Sequence, residues 1–247
     1  MEAYSKGRYS VRLAQSDADL IAAQSLRHRA FFGAPGVDAD EYDPLCEHIL
    51  VERATDQHLV CCFRLMLLGS GDDLTQSYSA QYYDLAGLAD YTSPMIEMGR
   101  FCIDPDITDP DVVRIAWGAM TDIVERTGTQ MLFGCASFEG VQADTYRDAF
   151  GILHEKHLAP KRWLPKVKAP KVVRFAQIFR RATSQKPDHK RAMLRMPPLL
   201  RTYLLMGGWV SDHAVVDTKM NTLHVFTGLE ISAIPQARQR FLRLSAS

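Results

Sequence analysis

The sequence has no apolar run long enough to span a membrane. Although 47% of its 247 residues are hydrophobic, charged residues interrupt each apolar stretch before the roughly 18 residues that a transmembrane helix needs. The first residues also lack the pattern of a secretory signal peptide. These absences predict a cytoplasmic protein that is soluble or lies on a membrane surface, with enough residues for one large domain or a domain with an extension.

Cysteine is scarce and follows no motif. The five cysteines are odd in number and lie mostly within apolar stretches, without a CxxC motif or the Cys/His spacing of a metal site. This pattern argues against a disulfide-stabilised secreted domain and against a structural zinc site. The sequence therefore predicts reduced cysteines and no metal.

The formal net charge is zero, but the first part of the sequence is acidic and the second part is basic. Residues 1–111 contain 19 acidic and 8 basic residues, whereas residues 112–247 contain 10 acidic and 21 basic residues. The basic excess is densest between Lys156 and Arg195, where 13 Lys and Arg residues accompany one acid, Asp188. Such a segment suits an acidic protein, an anionic membrane or a nucleic acid, or else forms a solvated surface.

The hydrophobic pattern predicts a mixture of strands and helices. Strands are expected at residues 9–13, 48–52, 58–68, 94–104, 130–137 and 222–231, and helices at 16–32, 81–88, 109–127, 138–150 and 235–244. The strands within 48–68 form a predicted hairpin, and strands alternate with helices after it. The fold class is therefore predicted to be α/β (α+β).

Charged residues lie within apolar strands. One such strand carries both Glu97 and Arg100, and a second carries Arg64. On the first predicted helix, Arg27 shares a face with Phe31, four residues later. Burying a charge costs free energy unless the charge is paired or used in function. These residues therefore indicate either structural ion pairs or an active site.

The loop after the first helix concentrates carboxylates. Asp38, Asp40, Glu41 and Asp43 lie close together in the sequence. Their density suits a site for a cationic ligand, or a solvated acidic loop. Calcium is discounted because the spacing lacks the glycine and the distal glutamate of an EF-hand.

In the order and approximate spacing of these residues, the sequence resembles acyl-homoserine-lactone synthases. It resembles still more closely their relatives, the ornithine N-acyltransferases that use acyl carrier protein. The resemblance covers about residues 8–243 and rests on Arg27 with Phe31, Asp40 with Asp43, Arg64 before a leucine, EMGRF at 97–101, LFGCAS at 132–137, PPLLRTYL at 197–204, and Asp217 with NTLHVF at 221–226. It implies an acetyltransferase (GNAT)-like fold, in which a mixed central sheet with splayed middle strands is flanked by helices. Residues 1–186 are expected to form the acyltransferase core and residues 187–247 a C-terminal extension packed on it.

The resemblance also implies roles for the charged residues. Glu97 and Arg100 are the predicted catalytic residues, with Glu97 as a general base whose pKa is raised by desolvation. An arginine would bind the acceptor's carboxylate, and aspartates would bind its cationic side chain. The predicted substrate-binding residues are Arg27, Phe31, Asp40, Asp43 and Arg64. The alternative for all these charges is an interlocked structural network.

The donor is expected to be an acyl chain on the phosphopantetheine of acyl carrier protein, with no other cofactor. Acetyl-CoA enzymes of this fold cradle pyrophosphate on a glycine-rich loop before the long helix, but residues 104–113 read DPDITDPDVV, with four aspartates and no glycine. The basic segment would instead receive the acidic carrier protein, and nucleic acid is not an expected partner. The predicted carrier-protein contacts are Lys161, Arg162, Lys166, Lys168 and Lys171.

The sequence thus predicts an enzyme that transfers a 3-hydroxyacyl chain to the α-amine of ornithine and forms lyso-ornithine lipid. Direct transfer is expected because no cysteine has a histidine partner in a nucleophile motif. The alternatives are another acceptor such as glutamine, acyl-homoserine-lactone synthesis, or a non-catalytic module that binds anionic lipid or nucleic acid. Leucines within 194–206, beside arginines, would either pack on the core or make a peripheral contact with the inner face of the membrane.

Overall fold

The computed structural model describes residues 4–180 and 186–246. The strands are β1 (Tyr4–Lys6), β2 (Tyr9–Leu13), β3 (Glu47–Arg53), β4 (Leu59–Leu68), β5 (Tyr83–Asp84), β6 (Met95–Ile103), β7 (Met131–Glu139), β8 (Lys166–Val167), β9 (Val172–Arg174), β10 (Trp209–Val210), β11 (His213–Asp217) and β12 (Thr222–Glu230). The helices are α1 (Asp17–Phe32), α2 (Pro110–Thr127), α3 (Arg147–Lys156), α4 (Phe175–Arg180), α5 (His189–Arg195), α6 (Pro198–Leu205) and α7 (Gln236–Ala246). The predicted mixed α/β class is confirmed.

The chain forms two compact units that interleave along the sequence. Unit 1 comprises the described parts of residues 1–67, 96–130 and 236–247, and unit 2 comprises the described parts of residues 68–95 and 131–235. The predicted core at 1–186 and extension at 187–247 stay a prediction, as does the splay of the middle strands.

The sheet of unit 1 follows the order β1-β2-β3-β4-β6. The pairs β1/β2, β2/β3 and β3/β4 are antiparallel, so the predicted hairpin is confirmed as β3 and β4. Helix α1 packs against β3, α2 packs against β2 and β3, and α7 packs against α2. Strand β4 is buried at seven consecutive positions, as expected for a strand covered on both faces. Arg64 therefore lies inside the core.

Helix α1 begins and ends where the sequence predicts. The Ser16 hydroxyl oxygen accepts a hydrogen bond from the Asp19 backbone N–H at 3.2 Å, which satisfies one N–H group at the helix start. At the other end, Gly33 takes the left-handed conformation with φ at 68°, and its N–H donates to the Arg29 carbonyl oxygen. These caps fix the ends of the helix, and with them the face on which Arg27 lies.

The sheet of unit 2 follows the order β7-β12-β11-β9, with β10 also paired to β12, and β5 pairs separately with β8. One face of β7 packs against α3 through Phe138 and Phe150. Because successive strand residues point to opposite faces, Cys135 of β7 lies on the other face. Phe226, its partner across the ladder to β12, shares that face and contacts the ring of Tyr83.

Two helical predictions are wrong. Residues 81–88 form β5 and parts of two short 3-10 turns, Ser79–Gln81 and Ala86–Leu88, rather than one helix. Residues 138–150 are not one helix either, since β7 continues to Glu139 and α3 begins only at Arg147. The strand is prolonged because Glu139 pairs with Thr222 of β12. Tertiary pairing here overrides the local pattern.

The apolar stretch at 194–206 forms parts of two helices, α5 and α6. Pro198 occupies the first turn of α6, where its missing N–H costs nothing. Leu200 and Tyr203 are buried in unit 2, whereas Leu194 is exposed. Part of this stretch therefore packs within unit 2, and contact with a membrane stays a prediction. Among the described residues, no helix is both long and apolar enough to cross a membrane.

Candidate active site

Six charged side chains of unit 1 form a closed ring of alternating sign, which we call the charge ring. In the order in which each contacts the next, its members are Arg27, Asp43, Arg64, Asp40, Arg100 and Asp38. Each arginine contacts two aspartates and each aspartate contacts two arginines, so the charges cancel. The ring contains every predicted substrate-binding residue except Phe31, together with the predicted catalytic Arg100 and with Asp38.

The deepest part of the ring surrounds Arg27 of α1. This side chain is fully buried, with its Nε 2.9 Å from Asp38 Oδ2 and its Nη1 2.7 Å from Asp43 Oδ1. Its Nη2 also donates to the Asp38 carbonyl oxygen. Gln24, nearly one turn earlier on α1, donates to Asp43 Oδ2 at 2.8 Å. A buried guanidinium is tolerated only when its N–H groups are satisfied, and these contacts satisfy it.

Arg64 and Arg100 approach the aspartates from two neighbouring strands. Arg64 of β4 contacts both Asp40 and Asp43, and its Nη2 lies 2.9 Å from Asp40 Oδ2. Arg100 of β6 has its Nε 3.0 Å from Asp38 Oδ2 and its Nη2 2.9 Å from Asp40 Oδ2. The acidic loop is therefore tied to the sheet by charge-assisted hydrogen bonds, which are stronger than neutral ones.

Backbone geometry explains how Arg100 reaches the ring. In a regular strand, Gly99 and Arg100 would point to opposite faces. Gly99 lies on the Arg64 side, because a Cβ atom added there would be 3.5 Å from Arg64 Nε. Arg100 adopts a left-handed conformation with φ at 54°, which is uncommon for a residue with a side chain, and its guanidinium contacts the same Asp40 as Arg64. Such outliers inside strands occur at bulges and at functional sites.

The ring is buried on one side and partly accessible on the other. The exposed fraction of the side chain rises from 0% at Arg27 and 3% at Arg64 to 13% at Arg100 and 20% at Asp40. A small polar ligand would therefore meet the ring first at Arg100 and Asp40.

The arginines keep the ring carboxylates ionised. Burial raises the pKa of Asp43, but the hydrogen bonds and charge of Arg27, with the hydrogen bond of Arg64, hold this pKa well below its usual range. Burial likewise raises the pKa of Asp40, and Arg64 and Arg100 lower it by more, so that it lies below its usual value. With arginines bound, these carboxylates do not form a metal site. Within the described residues, no three His, Cys, Asp or Glu side chains are grouped to hold a metal ion.

Glu97 lies on the ring's side of β6. It precedes Gly99 by two residues, which places it on the same face of the strand, and it is 5% exposed. Burial raises the pKa of the Cys46 thiol to about 11; the charge of Arg64 lowers this pKa, whereas the charges of Glu97 and of Asp43 in the ring raise it, so one thiol senses both Glu97 and the ring. The predicted general base is therefore in the interior of unit 1, beside the charge ring.

Known proteins are similar in sequence to the part of the chain that contains the charge ring. Residues 24–118, which contain the whole charge ring and Glu97, match the acetyltransferase (GNAT) domain family. An L-ornithine N(alpha)-acyltransferase from Brucella abortus is 31% identical over 247 residues, which cover 92% of this chain and 86% of that protein. This chain belongs to the L-ornithine N(alpha)-acyltransferase family. Another member of the family, from Rhodobacter capsulatus, is 29% identical over 94% of both chains.

A solved structure shares the fold of this acyltransferase. FeeM, an N-acyl amino acid synthase from uncultured soil microbes, superposes with a TM-score of 0.53 over 94% of this chain and 96% of that one, at 10% identity. The predictions of a GNAT-like fold and of an N-acyltransferase are confirmed. The alternative of a non-catalytic binding module is thereby set aside.

Phe31 of the acyltransferase does not belong to the ring. It lies about one turn after Arg27 on α1, is half-buried, and packs against a hydrophobic cluster that includes Leu26. Its role in substrate binding stays a prediction. Neither Asp38 nor Gln24 is among the individual site residues that the sequence predicts. A signal existed for Asp38, which belongs to the acid-rich loop, whereas Gln24 had only its helical spacing from Arg27.

All four aspartates of residues 104–113 in the acyltransferase have ion-pair partners within unit 1; Asp106 lies 3.5 Å from Arg29, and Asp111 lies 3.3 Å from Arg114. Asp104 is buried and contacts Arg29 and His58, with His58 Nε2 2.9 Å from its Oδ2. Asp109 caps α2 by accepting a hydrogen bond from the Asp111 backbone N–H at 3.0 Å. The start of α2 is therefore capped by the chain's own carboxylate.

The five predicted carrier-protein contacts of the acyltransferase are all exposed in unit 2. Two of them also have partners within the unit: Lys168 Nζ donates to the Ala80 carbonyl oxygen at 2.6 Å, and the Arg162 guanidinium lies 4.0 Å from the centroid of the Trp163 ring. The other three are Lys161, Lys166 and Lys171. Their role in binding a partner stays a prediction.

Proposed function

We propose that this enzyme transfers a 3-hydroxyacyl chain from acyl carrier protein to the α-amine of ornithine and so forms lyso-ornithine lipid. The names of its relatives, L-ornithine N(alpha)-acyltransferases, support ornithine as the acceptor. The observation that carries the proposal is the charge ring. Its accessible edge offers an arginine and an aspartate side by side to one small zwitterion.

The charges of ornithine match those of the ring edge. Arg100 and Asp40 are in contact at 2.9 Å. An acceptor that enters there exchanges this ion pair for two, with its carboxylate on the guanidinium and its side-chain ammonium on the aspartate, so no buried charge loses its partner. The more deeply buried Arg64 also donates a hydrogen bond to Asp40 and helps to hold it in place. Glutamine would supply no cation to Asp40, which favours ornithine as the acceptor.

Glu97 is the proposed general base. The α-ammonium of ornithine must lose a proton before its nitrogen attacks the thioester carbonyl carbon, and Glu97 accepts that proton directly or through one water. The N–C bond forms, and the tetrahedral intermediate then collapses with cleavage of the C–S bond. The pantetheine thiolate leaves and takes up the second proton that the nitrogen loses, and Glu97 releases the first proton to solvent. The products are one amide and one thiol.

Features of the chain support a protein-bound donor. The α2 terminus is capped by Asp109, and the preceding segment has no glycine. The pyrophosphate of an acyl-CoA would therefore meet carboxylates there rather than uncapped backbone N–H groups. The exposed lysines of unit 2 complement an acidic carrier protein, since opposite charges accelerate encounter and select partners.

Analysis of the reaction product tests the proposal. Purified enzyme is incubated with 3-hydroxyacyl carrier protein and an equimolar mixture of ornithine, lysine, glutamine and adenosylmethionine. We expect one new product with the mass of N-acylornithine and an equal amount of free carrier-protein thiol. Acylglutamine as the main product would reject ornithine, a lactone would indicate homoserine-lactone synthesis, and the absence of any acylated product would reject the transfer.

Charge reversal on unit 2 is expected to weaken donor binding. The triple variant Lys161→Glu, Lys166→Glu and Lys171→Glu should raise the KM for acyl carrier protein by about tenfold at low salt, with kcat within about twofold, because lost attraction affects encounter rather than chemistry. Initial rates at several salt concentrations measure the effect, which should shrink as salt screens the charges. Lys219→Glu, exposed in unit 2 but outside the basic segment, is the control. An unchanged KM in the triple variant would place the carrier protein elsewhere.

A further inference from the structure

A buried histidine of unit 1 holds the turn that carries Asp43. His48 of β3 is 8% exposed, and its Nε2 lies 3.0 Å from the Asp43 backbone carbonyl oxygen. The same carbonyl oxygen closes the 3-10 turn Asp43–Leu45 by accepting a hydrogen bond from the Cys46 N–H at 3.3 Å. His48 therefore ties this turn to the sheet.

His48 lies on the face of the sheet that carries the charge ring. In the antiparallel ladder of β3 and β4, His48 is directly opposite Arg64, and residues that are directly opposite share a face. His48 Nε2 is also 4.0 Å from Asp43 Oδ1. Arg27 and Arg64 hold the carboxylate of Asp43, whereas His48 holds its backbone.

The position of Asp43 affects Asp40, the aspartate at the accessible edge of the ring. The Asp40 backbone N–H lies 3.3 Å from Asp43 Oδ2, and the Asp43 N–H donates to the Asp40 carbonyl oxygen at 3.2 Å. Arg64 contacts both carboxylates. A displacement of Asp43 is therefore passed on to Asp40.

The hydrogen bond fixes the protonation of the His48 imidazole. A carbonyl oxygen only accepts, so Nε2 must carry the hydrogen, and Nδ1 of the neutral imidazole has a lone pair. Burial lowers the pKa of His48 below its usual value. The hydrogen bond and charge of Asp43 raise this pKa by less, and the charges of Arg27 and Arg64 lower it further. The imidazole is therefore neutral at pH 7.

Protonation of His48 would disturb the balance of charges around it. The charged groups that face it are Asp43 of the acidic loop, Arg27 of α1 and Arg64 of β4. A protonated imidazole would add a fourth cation beside a ring of three cations and three anions. Its repulsion would drive the Arg64 guanidinium towards Asp40, which would then attract a cationic ligand less strongly.

We propose that His48 is a positioning residue for the acceptor, because its neutral imidazole holds the Asp43 turn in place and so keeps Asp40 available to the side-chain ammonium of ornithine. The inference rests on the proposed function, which places the acceptor at the accessible edge of the ring. His48 does not touch the reacting atoms, and no bond is made or broken there. Loss of the Nε2–H, or protonation of the imidazole, should therefore weaken acceptor binding rather than slow the transfer.

Two substitutions separate the hydrogen bond of His48 from its charge. His48→Phe removes the Nε2–H and should raise the KM for ornithine by about tenfold at pH 8, with kcat within about twofold. His48→Gln should restore KM to within about twofold of the wild type, because its amide N–H reaches the same carbonyl oxygen. His58→Phe is the matched control, since His58 contacts Asp104 of unit 1 and no member of the ring. Its KM should stay within about twofold of the wild type.

The pH dependence of kcat/KM for ornithine tests the charge. As the pH falls from 8 to 5, kcat/KM of the wild type should fall more steeply below about pH 6.5 than that of His48→Gln, because only the wild type gains a cation. Protonation of Glu97 affects both enzymes alike, so the difference between the two profiles reports on His48. Thermal unfolding confirms that each variant is folded at the pH of the assay.

Nuclear magnetic resonance of the wild type provides a test that does not depend on how the variants fold. With isotope-labelled histidine, the nitrogen chemical shifts of neutral His48 should show its proton on Nε2. Saturating ornithine without a donor should lower the pKa of His48, because a proton that weakens ornithine binding is itself bound more weakly when ornithine is present.

Four results would each overturn the inference: a proton on Nδ1, a pKa of His48 that ornithine leaves unchanged or raises, a wild-type KM in folded His48→Phe, or the same pH profile in the wild type and His48→Gln. An enzyme that binds and acylates no ornithine would instead contradict the proposed function. The position of the proton on His48 would still test how this residue holds Asp43.

Discussion

Replacing Glu97 by glutamine is expected to lower kcat by about a hundred- to ten-thousandfold, the usual contribution of a general base. Glutamine preserves the shape of the side chain but cannot accept the proton of the α-ammonium. The residual rate should rise with pH, because solvent then supplies more of the neutral amine. Steady-state rates from pH 6 to 10 with 3-hydroxyacyl carrier protein and ornithine measure both effects.

Glu47→Gln provides the control for this substitution. Glu47 also lies on a strand of unit 1, at the start of β3, but is exposed, so its loss should leave kcat within about twofold. Thermal unfolding of both variants separates lost catalysis from lost folding. Turnover by Glu97→Gln at the wild-type rate would contradict the assignment of Glu97 as the base.

Replacing Asp43 by asparagine is expected to reduce the free energy of unfolding by about 3–5 kcal/mol, as when one partner of a buried ion pair is removed. The change keeps the size of the side chain but removes the charge shared by Arg27 and Arg64. Each of these buried guanidinium groups then has one ring carboxylate instead of two. Denaturant unfolding, followed by circular dichroism, measures the loss.

A surface pair provides the control for Asp43→Asn. Asp56 contacts Arg53 at 2.8 Å and is 51% exposed, so Asp56→Asn should change the free energy of unfolding far less than Asp43→Asn does, because solvent screens an exposed ion pair. Acid should act on the wild type in the same direction as Asp43→Asn. Since the folded-state pKa values of Asp40 and Asp43 lie below the ordinary value of 3.8, their stabilisation is fully present above about pH 5 and is lost as the pH falls. A loss for Asp43→Asn no larger than for Asp56→Asn would contradict the structural role of the ring.

The charge ring joins two interpretations that the sequence left as alternatives. The interlocked network exists, because every aspartate in the ring is shared by two arginines. A ligand that carries both signs can still enter it without leaving a buried charge unpaired. The same contacts therefore hold unit 1 together and, under the proposed function, also prepare a site for a zwitterion.

Features with short-range signals were predictable from the sequence. The Ser16 cap, the β3–β4 hairpin and the Pro110 start of α2 all depend on residues that are close along the chain. The end of β7 was not predictable in this way, because Glu139 is held in the strand by Thr222, far along the sequence. The sequence near Glu139 does not show this pairing, so the predicted helix at 138–150 begins before the strand has ended.

The residues of the candidate site divide in the same way: some carry a signal in the local sequence, and others depend on residues far along the chain. Charges inside apolar strands identified Arg64, Glu97 and Arg100, since their cost of burial is evident from the sequence alone. The role of Asp38 was missed because it depends on Arg27, 11 residues away, and on Arg100, 62 residues away. The left-handed backbone at Arg100 was equally hidden, because no glycine marks it.

The interleaved order of the two units affects the order in which they can fold during translation on the ribosome. Every residue of unit 2 is translated before α7, yet α7 belongs to unit 1 and packs against α2. The nascent chain therefore carries α2 with its α7-facing surface uncovered while more than a hundred further residues are added. Domains generally fold as units once their residues are available, so unit 2 is the first that can be completed during translation, and unit 1 is completed last.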